Sequence, residues 1–375
     1  MSIPLRQTVK VGGYVMKQRM HKNEKYALVL QLEPLYQCNL ACVGCGKIQH
    51  PDDILARRLT VEQAVAAAEQ CGAPMVSIAG GEPLVHKEIH KIVDALVAQK
   101  RFVYLCTNAL LLEKKLDLFT PSPYFSFSIH IDGLRERHDE SVSRPGTFDK
   151  AVAAAREAKR RGFRVTTNTT FFDMDSAKSI REVLDFLNDD LQVDNMQISP
   201  GYAYEKAPDQ DHWLQVEKTH KLFRDAFADG RRKRWRLNHS PLFLDFLEGK
   251  VDFQCTAWGI PCYSVFGWQR PCYLMADGYV PSYKELLETT EWDSYGRGRD
   301  PRCANCMAHC GYEPTAVAAT SASLREGLRA AGDTLRGQIS DISWRGRVGA
   351  GPHHPEGTET AAEGTETAAE DRQIA

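Results

Sequence analysis

The sequence predicts an α/β fold: a partial (β/α)6 TIM-like barrel, a small loop-rich C-terminal domain containing cysteines, and a disordered tail. Three observations predict it. Strand-like and helix-like segments alternate from residue 28 to 200, the pattern of parallel β-α units joined by right-handed crossovers. Small and polar residues gather where the strand-like segments end, the place where such folds keep their chemistry. After residue 200 the periodicity weakens, and six cysteines fall between 240 and 315.

Taken in order, segment 9–26 mixes Val, Tyr and Met with Lys, Arg and His. It reads as an amphipathic helix docked on the barrel, with an anionic membrane surface as the alternative. "ALVLQLEPL" is a strand that runs into Cys38. "TVEQAVAAAEQCG" is a helix with Thr60 as N-cap, Gln63 completing a capping box and Gly72 as its stop. "MVSIAGG" is the second strand and "EIHKIVDALVAQK" its helix; "RFVYLCTN" is the third strand. In "YFSFSIHID", Phe125, Phe127, Ile129 and Ile131 alternate with Ser126, Ser128, His130 and Asp132, so one face packs on helices and the other turns into a cavity. The helix "FDKAVAAAREAKRRG", the strand "FRVTTNTTFF", the helix "SIREVLDFLNDD" and the strand "VDNMQIS" complete six units, and "DHWLQVEKTHKLFRDAFADG" is a further helix. The expected partition is 1–27 helical extension, 28–230 barrel, 231–345 C-terminal domain and 346–375 tail. In the tail "EGTETAA" occurs at 356–362 and again at 363–369, without core-forming residues.

Bulk properties exclude some roles. Net charge is −2, so nothing global favours nucleic acid, and the basic run "RRKRWR" at 231–236 reads as a solvated end. No run of about 18 apolar residues is present to span a membrane. The first residues lack the apolar core of a signal peptide, so a cytoplasmic location is expected, with peripheral contact at the inner face of the membrane open to the N-terminal helix. In that compartment eleven cysteines are thiols or metal ligands rather than disulfides.

Cys38, Cys42 and Cys45 are spaced Cys-x3-Cys-x2-Cys at a strand's end. Thiolates so close together wrap an iron–sulfur cluster, and three of them leave one iron open, as a catalytic site requires. A zinc ion completed by a distant residue is the alternative. The next strand ends in "AGGEP", with Gly80, Gly81 and Glu82. Together these motifs resemble the radical S-adenosylmethionine (SAM) superfamily. The resemblance implies a [4Fe–4S] cluster on the three cysteines and SAM chelating the open iron. It implies cleavage by one electron from an external reductant such as flavodoxin or ferredoxin, giving a 5′-deoxyadenosyl radical. It further implies SAM contacts from Gly80, Gly81, Glu82, Ser128 and Asn168, and from Asn108 a contact with either SAM's ribose or the substrate. The residue before the third cysteine, aromatic in that superfamily, is Gly44 here.

The stretches "GKIQHP", "SIAGGEPL", "LCTNALLL", "SIHIDGLRERHDES", "SPGYAYEKAPDQ", "RWRLNHSPLFLDFLEGKVDF" and "DPRCANCMAHCGYEPTA" resemble the hopanoid-biosynthesis branch of the superfamily, over about residues 1–320. That resemblance implies addition of the 5′-deoxyadenosyl radical to the terminal alkene of diploptene, an apolar triterpene, giving adenosylhopane. The addition leaves a tertiary carbon radical that must gain hydrogen, and Cys106, nearest a strand's carboxyl end among the scattered cysteines, is the candidate donor. Cys272, Cys303, Cys306 and Cys310 resemble the auxiliary-cluster extensions of some radical SAM enzymes, with Cys255 or Cys262 able to complete a site for a second iron–sulfur cluster or zinc. The competing readings are a radical SAM peptide maturase with an auxiliary cluster and a non-catalytic iron–sulfur carrier.

Overall fold

A computed structural model describes residues 4–202, 205–323 and 325–332. The expected tail and residues 333–345 of the expected C-terminal domain lie outside the described residues. The chain opens with α1, Leu5–Met20 rather than 9–26. Next come β1 (Val29–Glu33), α2 (Asp52–Leu55), α3 (Val61–Cys71), β2 (Met75–Ile78), α4 (Ile89–Ala98), β3 (Phe102–Thr107), α5 (Leu112–Lys115) and β4 (Phe125–His130). They are followed by α6 (Arg135–Ser141), α7 (Thr147–Arg160), β5 (Arg164–Phe171), α8 (Ala177–Asp185) and β6 (Asn195–Pro200). Beyond the sixth strand lie α9 (Val216–Phe227), α10 (Pro241–Leu247), β7 (Cys262–Ser264), β8 (Gly267–Arg270), β9 (Gly278–Val280), α11 (Tyr283–Thr289) and α12 (His309–Ala322).

One sheet of nine strands runs in the order β6-β5-β4-β3-β2-β1-β7-β8-β9. The first six strands are parallel in chain order, a partial α/β barrel. The C-terminal region adds to the same sheet: β7 pairs parallel with β1, and β8 and β9 continue it antiparallel. Each strand alternates. Leu30, Leu32, Val76, Ile78, Leu105, Phe127 and Ile129 are fully buried under the helices. The other face supplies Gln31, Ser77, Cys106, Ser128, Asn168 and Gln197, which line internal cavities. Phe125 and Phe127 pack edge-on against Phe163, and Phe119 stacks on Phe125.

The local signals explain the boundaries. Thr60 accepts from Gln63 N while Gln63 Oε1 accepts from Thr60 N, a closed capping box, and Gly72 ends α3 in the left-handed region at φ 65°. α1 closes the amino-terminal end of the barrel. There the buried Gln7 accepts from Tyr104 Oη at 2.8 Å and donates to Met75 Sδ at 3.2 Å.

Candidate functional site

The three cysteines of the first cluster sit in the loop after β1, each a free, half-buried thiol lining one cavity of about 300 Å³. Cys45 N–H donates to Cys42 O at 3.2 Å, and Leu40 N–H donates to Cys38 Sγ at 3.4 Å. The loop is strapped to the Gly-Gly-Glu turn that follows β2. Gly81 N–H donates to Leu35 O and Glu82 N–H to Gln37 O, both at 2.9 Å. A Cβ on Gly81 would stand 2.2 Å from Gln37 O, and one on Gly80, whose φ is +101°, 2.3 Å from Leu35 O. Two backbones touch here, and only glycine permits the approach.

Glu82 is buried, and its carboxylate accepts from Leu84 N at 3.0 Å, Thr107 Oγ1 at 2.7 Å and Asn108 N at 2.8 Å. Burial pushes its pKa up against those three donors. The residue thus pins the end of β3 to the Gly-Gly turn. Asn108 extends the strap, donating from Nδ2 to Asn39 Oδ1 at 2.7 Å, beside Cys38. Asn168 Oδ1 is buried without a hydrogen-bond partner. Cys106 lies between two hydroxyls: Ser77 Oγ is 3.5 Å from its sulfur and Ser128 also hydrogen-bonds it. Burial pushes the Cys106 thiol up, so it keeps its proton at neutral pH. The cavity therefore gathers Cys38, Cys42, Cys45, Gly80, Gly81, Glu82, Cys106, Asn108, Ser128 and Asn168 in one lining.

Sequence reasoning missed several residues of that lining. Phe172, just past β5, and Trp213 from the loop before α9 fill the space beside Gly44. A Cβ on Gly44 would meet the Phe172 ring at 3.4 Å and Trp213 at 3.6 Å. The Phe172 ring thus occupies the space that a side chain at position 44 would enter, a contact that no local motif signals. Trp213 Nε1 is buried without a partner. Lys47 and the fully buried Glu33 form a 2.7 Å ion pair on the cavity wall. His130 Nε2 lies 2.8 Å from Asp132 Oδ2, while Asp132 Oδ1 accepts from Thr170 N at 2.8 Å. The alternation of β4 had pointed both toward the cavity.

A second cavity, of about 530 Å³, is lined by Cys255, Cys272, Cys303, Cys306 and Cys310. Cys255 therefore joins the four cysteines expected there. Cys262 is buried on β7 and does not line it. Burial pushes the Cys272 thiol up to about 11 and the Cys306 thiol up to about 12.

Among the described residues no three His, Cys, Asp or Glu side chains close around a single ion. An iron–sulfur cube instead spreads its thiolates over separate irons. The first site suits such a cube: three soft sulfur donors on one loop, an amide N–H bonded to one sulfur, and a glycine cradle that holds the loop.

Residues 32–187 match the family described as the radical SAM superfamily, and residues 196–330 match a domain of unknown function, DUF3463. GTP 3′,8-cyclase of Clostridium perfringens is 25% identical over 58% of this chain and 69% of its own length. Mycofactocin maturase MftC of Mycolicibacterium smegmatis is 30% identical over 36% of this chain and 35% of its own. Among solved structures, Streptococcus suis SuiB bound to the precursor peptide SuiA superposes with a TM-score of 0.60 at 17% identity, over 80% of this chain and 74% of that one. This last likeness is one of fold.

Proposed function

We propose, from the premise that residues 32–187 belong to the radical SAM superfamily, that the chain joins the 5′-deoxyadenosyl group of SAM to the terminal alkene of an apolar polycyclic triterpene, diploptene. The superfamily works with a [4Fe–4S] cluster and SAM. Cys38, Cys42 and Cys45 would hold the cluster, and bound together the two supply a 5′-deoxyadenosyl radical. The chain's own residues do the rest. Glu82 Oε2 takes a single protein donor and has capacity for SAM's amino group. Asn168 Oδ1, unpartnered, suits the ribose hydroxyls or the amino acid end. The Phe172 and Trp213 rings offer the adenine a face.

The observation that carries the reading is the placement of the Cys106 thiol, 3.5 Å from Ser77 Oγ, in the same lining as the three cysteines. Addition of the C5′ radical to the =CH2 group forms a C–C bond, breaks the π bond and leaves a tertiary carbon radical. Cys106 S–H supplies the hydrogen atom, and the thiyl left behind regains its hydrogen from one further electron of the external reductant and a proton from solvent. Ser77 and Ser128 hold the sulfur in place. α1 exposes Leu5, Val9, Met16 and Met20. Beside Lys17 and Arg19, this stripe favours peripheral contact with an anionic membrane, where such a substrate resides.

The five-cysteine cavity favours a second reading, a peptide maturase with an auxiliary cluster; one relative is described as a maturase, mycofactocin maturase MftC. Anaerobic incubation with reductant, SAM and diploptene, read by mass spectrometry, separates the readings. An adenosyl–hopane adduct is expected. Free 5′-deoxyadenosine alone favours the maturase, and absence of SAM turnover leaves an iron–sulfur carrier.

A further inference from the structure

The cysteine-lined cavity does not end at the middle of the barrel. A second cavity, of about 260 Å³, occupies the amino-terminal half, and Gln31, Ser77, Cys106, Gln197 and His309 line both. Cys106 therefore stands at the junction. The upper cavity is about 300 Å³, at the low end of the ~300–1,000 Å³ of ligand sites. One molecule of SAM's size fills it; the lower cavity, at about 260 Å³, is no larger, so a rigid polycycle would lie partly inside it and extend outward beneath α1.

The lower cavity differs in kind. Its walls are Val11 and Gly12 of α1, Val29, Met75, Ile260 and Val317 of α12. Some of the polar side chains that reach it are already engaged, while His309 Nδ1 is buried without a partner. His239 pairs with Glu313 at 3.0 Å and accepts from Ile198 N at 3.0 Å, while Ser240 N donates to Glu313 at 2.7 Å. This cluster satisfies itself, which leaves Val11, Val29, Met75, Ile260 and Val317 to present carbon to the cavity's contents. α1 is its outer cover. One side of that helix faces the cavity, and another exposes Leu5, Val9, Met16 and Met20.

We infer that the lower cavity is the berth of the substrate's hydrocarbon body, reached from beneath α1, so that substrate and SAM approach Cys106 from opposite ends of the barrel. The inference rests on the reading above and adds to it a route and an orientation: the alkene points toward the cysteine loop, and the rings lie toward α1. The saturating S–H bond then lies at the boundary between the two ligands.

Gly12 provides the test, because a Cβ there meets no atom within 4 Å. A series Gly12→Ala, Gly12→Leu, Gly12→Phe adds bulk in steps at the exposed rim of the cavity and improves helix propensity. Gly13, equally open and not in the lining, gives the control Gly13→Phe. Two quantities are measured on the iron-loaded protein: binding of a saturated hopane, which has no alkene to react, and adduct formation with diploptene. We expect saturated hopane to bind the wild type and the Gly13 variant alike. Its affinity and the adduct yield should fall stepwise along the Gly12 series, at least tenfold at Phe, while 5′-deoxyadenosine continues to form. Equal binding across the series, an equal loss in the Gly13 control, or no binding to the wild type overturns the route. Hopane binding that tracks the series, with diploptene giving no adduct in the wild type, upholds the route and overturns the proposed reaction.

Discussion

Cys106 carries most of the chemistry proposed for this chain, and its surroundings set how it fails. Removing the sulfur takes away a hydrogen donor without touching the loop that holds Cys38, Cys42 and Cys45. Cys106→Ala should therefore keep its iron and still consume SAM, but release product that is unreduced or of mixed configuration at the new centre, read by mass spectrometry and NMR. Normal product from that variant would remove Cys106 from the mechanism. In the proposed role the active form would be the protonated thiol, present below its pKa and lost above it. Burial raises that pKa, so loss is displaced upward from the ordinary thiol range near ~8.5. Stereochemical purity should hold through that range and decline only at higher pH. A second residue-scale test concerns Gly44. Its Cβ position leaves ordinary contact with Phe172, so Gly44→Ala is expected to be nearly silent. Gly44→Phe should displace the Phe172 ring and raise the KM for SAM several-fold, and pairing it with Phe172→Ala should recover much of the loss. No recovery in the double variant would separate Phe172 from SAM binding.

Among the elements, the strap between the cysteine loop and the Gly-Gly turn is the joint on which the site depends. Gly81→Ala puts a methyl group 2.2 Å from Gln37 O and 2.5 Å from Tyr36 O, so the backbone of the cysteine loop has to move. The variant is expected to fold, with α3 and the sheet unchanged by circular dichroism, and to hold far less iron after reconstitution than the wild type. Full iron loading would show that the cradle tolerates a side chain. These joints also show what the sequence could reveal. The capping box of α3 was readable because Thr60 and Gln63 act three residues apart. The two faces of β4 were readable because alternation is a local property. Strands β7, β8 and β9 were not, since three or four residues carry no period, and what makes them strands is the edge of β1. α12 was hidden by Pro314 and weak amphipathy. Gly259, where a Cβ would lie 2.4 Å from Pro314, makes room for that ring from far away in sequence. The approach of Phe172 to Gly44 was invisible for the same reason: the partner arrives through the fold.

For the whole molecule, the question is how two cysteine clusters share one chain. The first lies in the loop after β1, and the second encloses the cavity of Cys255, Cys272, Cys303, Cys306 and Cys310. They are linked by structure. Trp213 lines both cavities, and β7, which pairs with β1, leads into the C-terminal strands. His309 begins α12 one residue before Cys310 and faces both halves of the barrel, its Nδ1 buried without a partner. A cluster at the second site would therefore fix α12, and with it the wall of the lower cavity. Iron and sulfide analysis decides occupancy: about four irons per chain for one cube and about eight for two. We expect about eight. The Cys303→Ala/Cys306→Ala double variant should lose about four of them, retain SAM cleavage by the first site, and lose adduct more steeply than 5′-deoxyadenosine because α12 is no longer held. A wild type with about four irons, all removed by substituting Cys38, Cys42 and Cys45, would leave the second group as reduced thiols and return the positioning of α12 to side-chain packing alone.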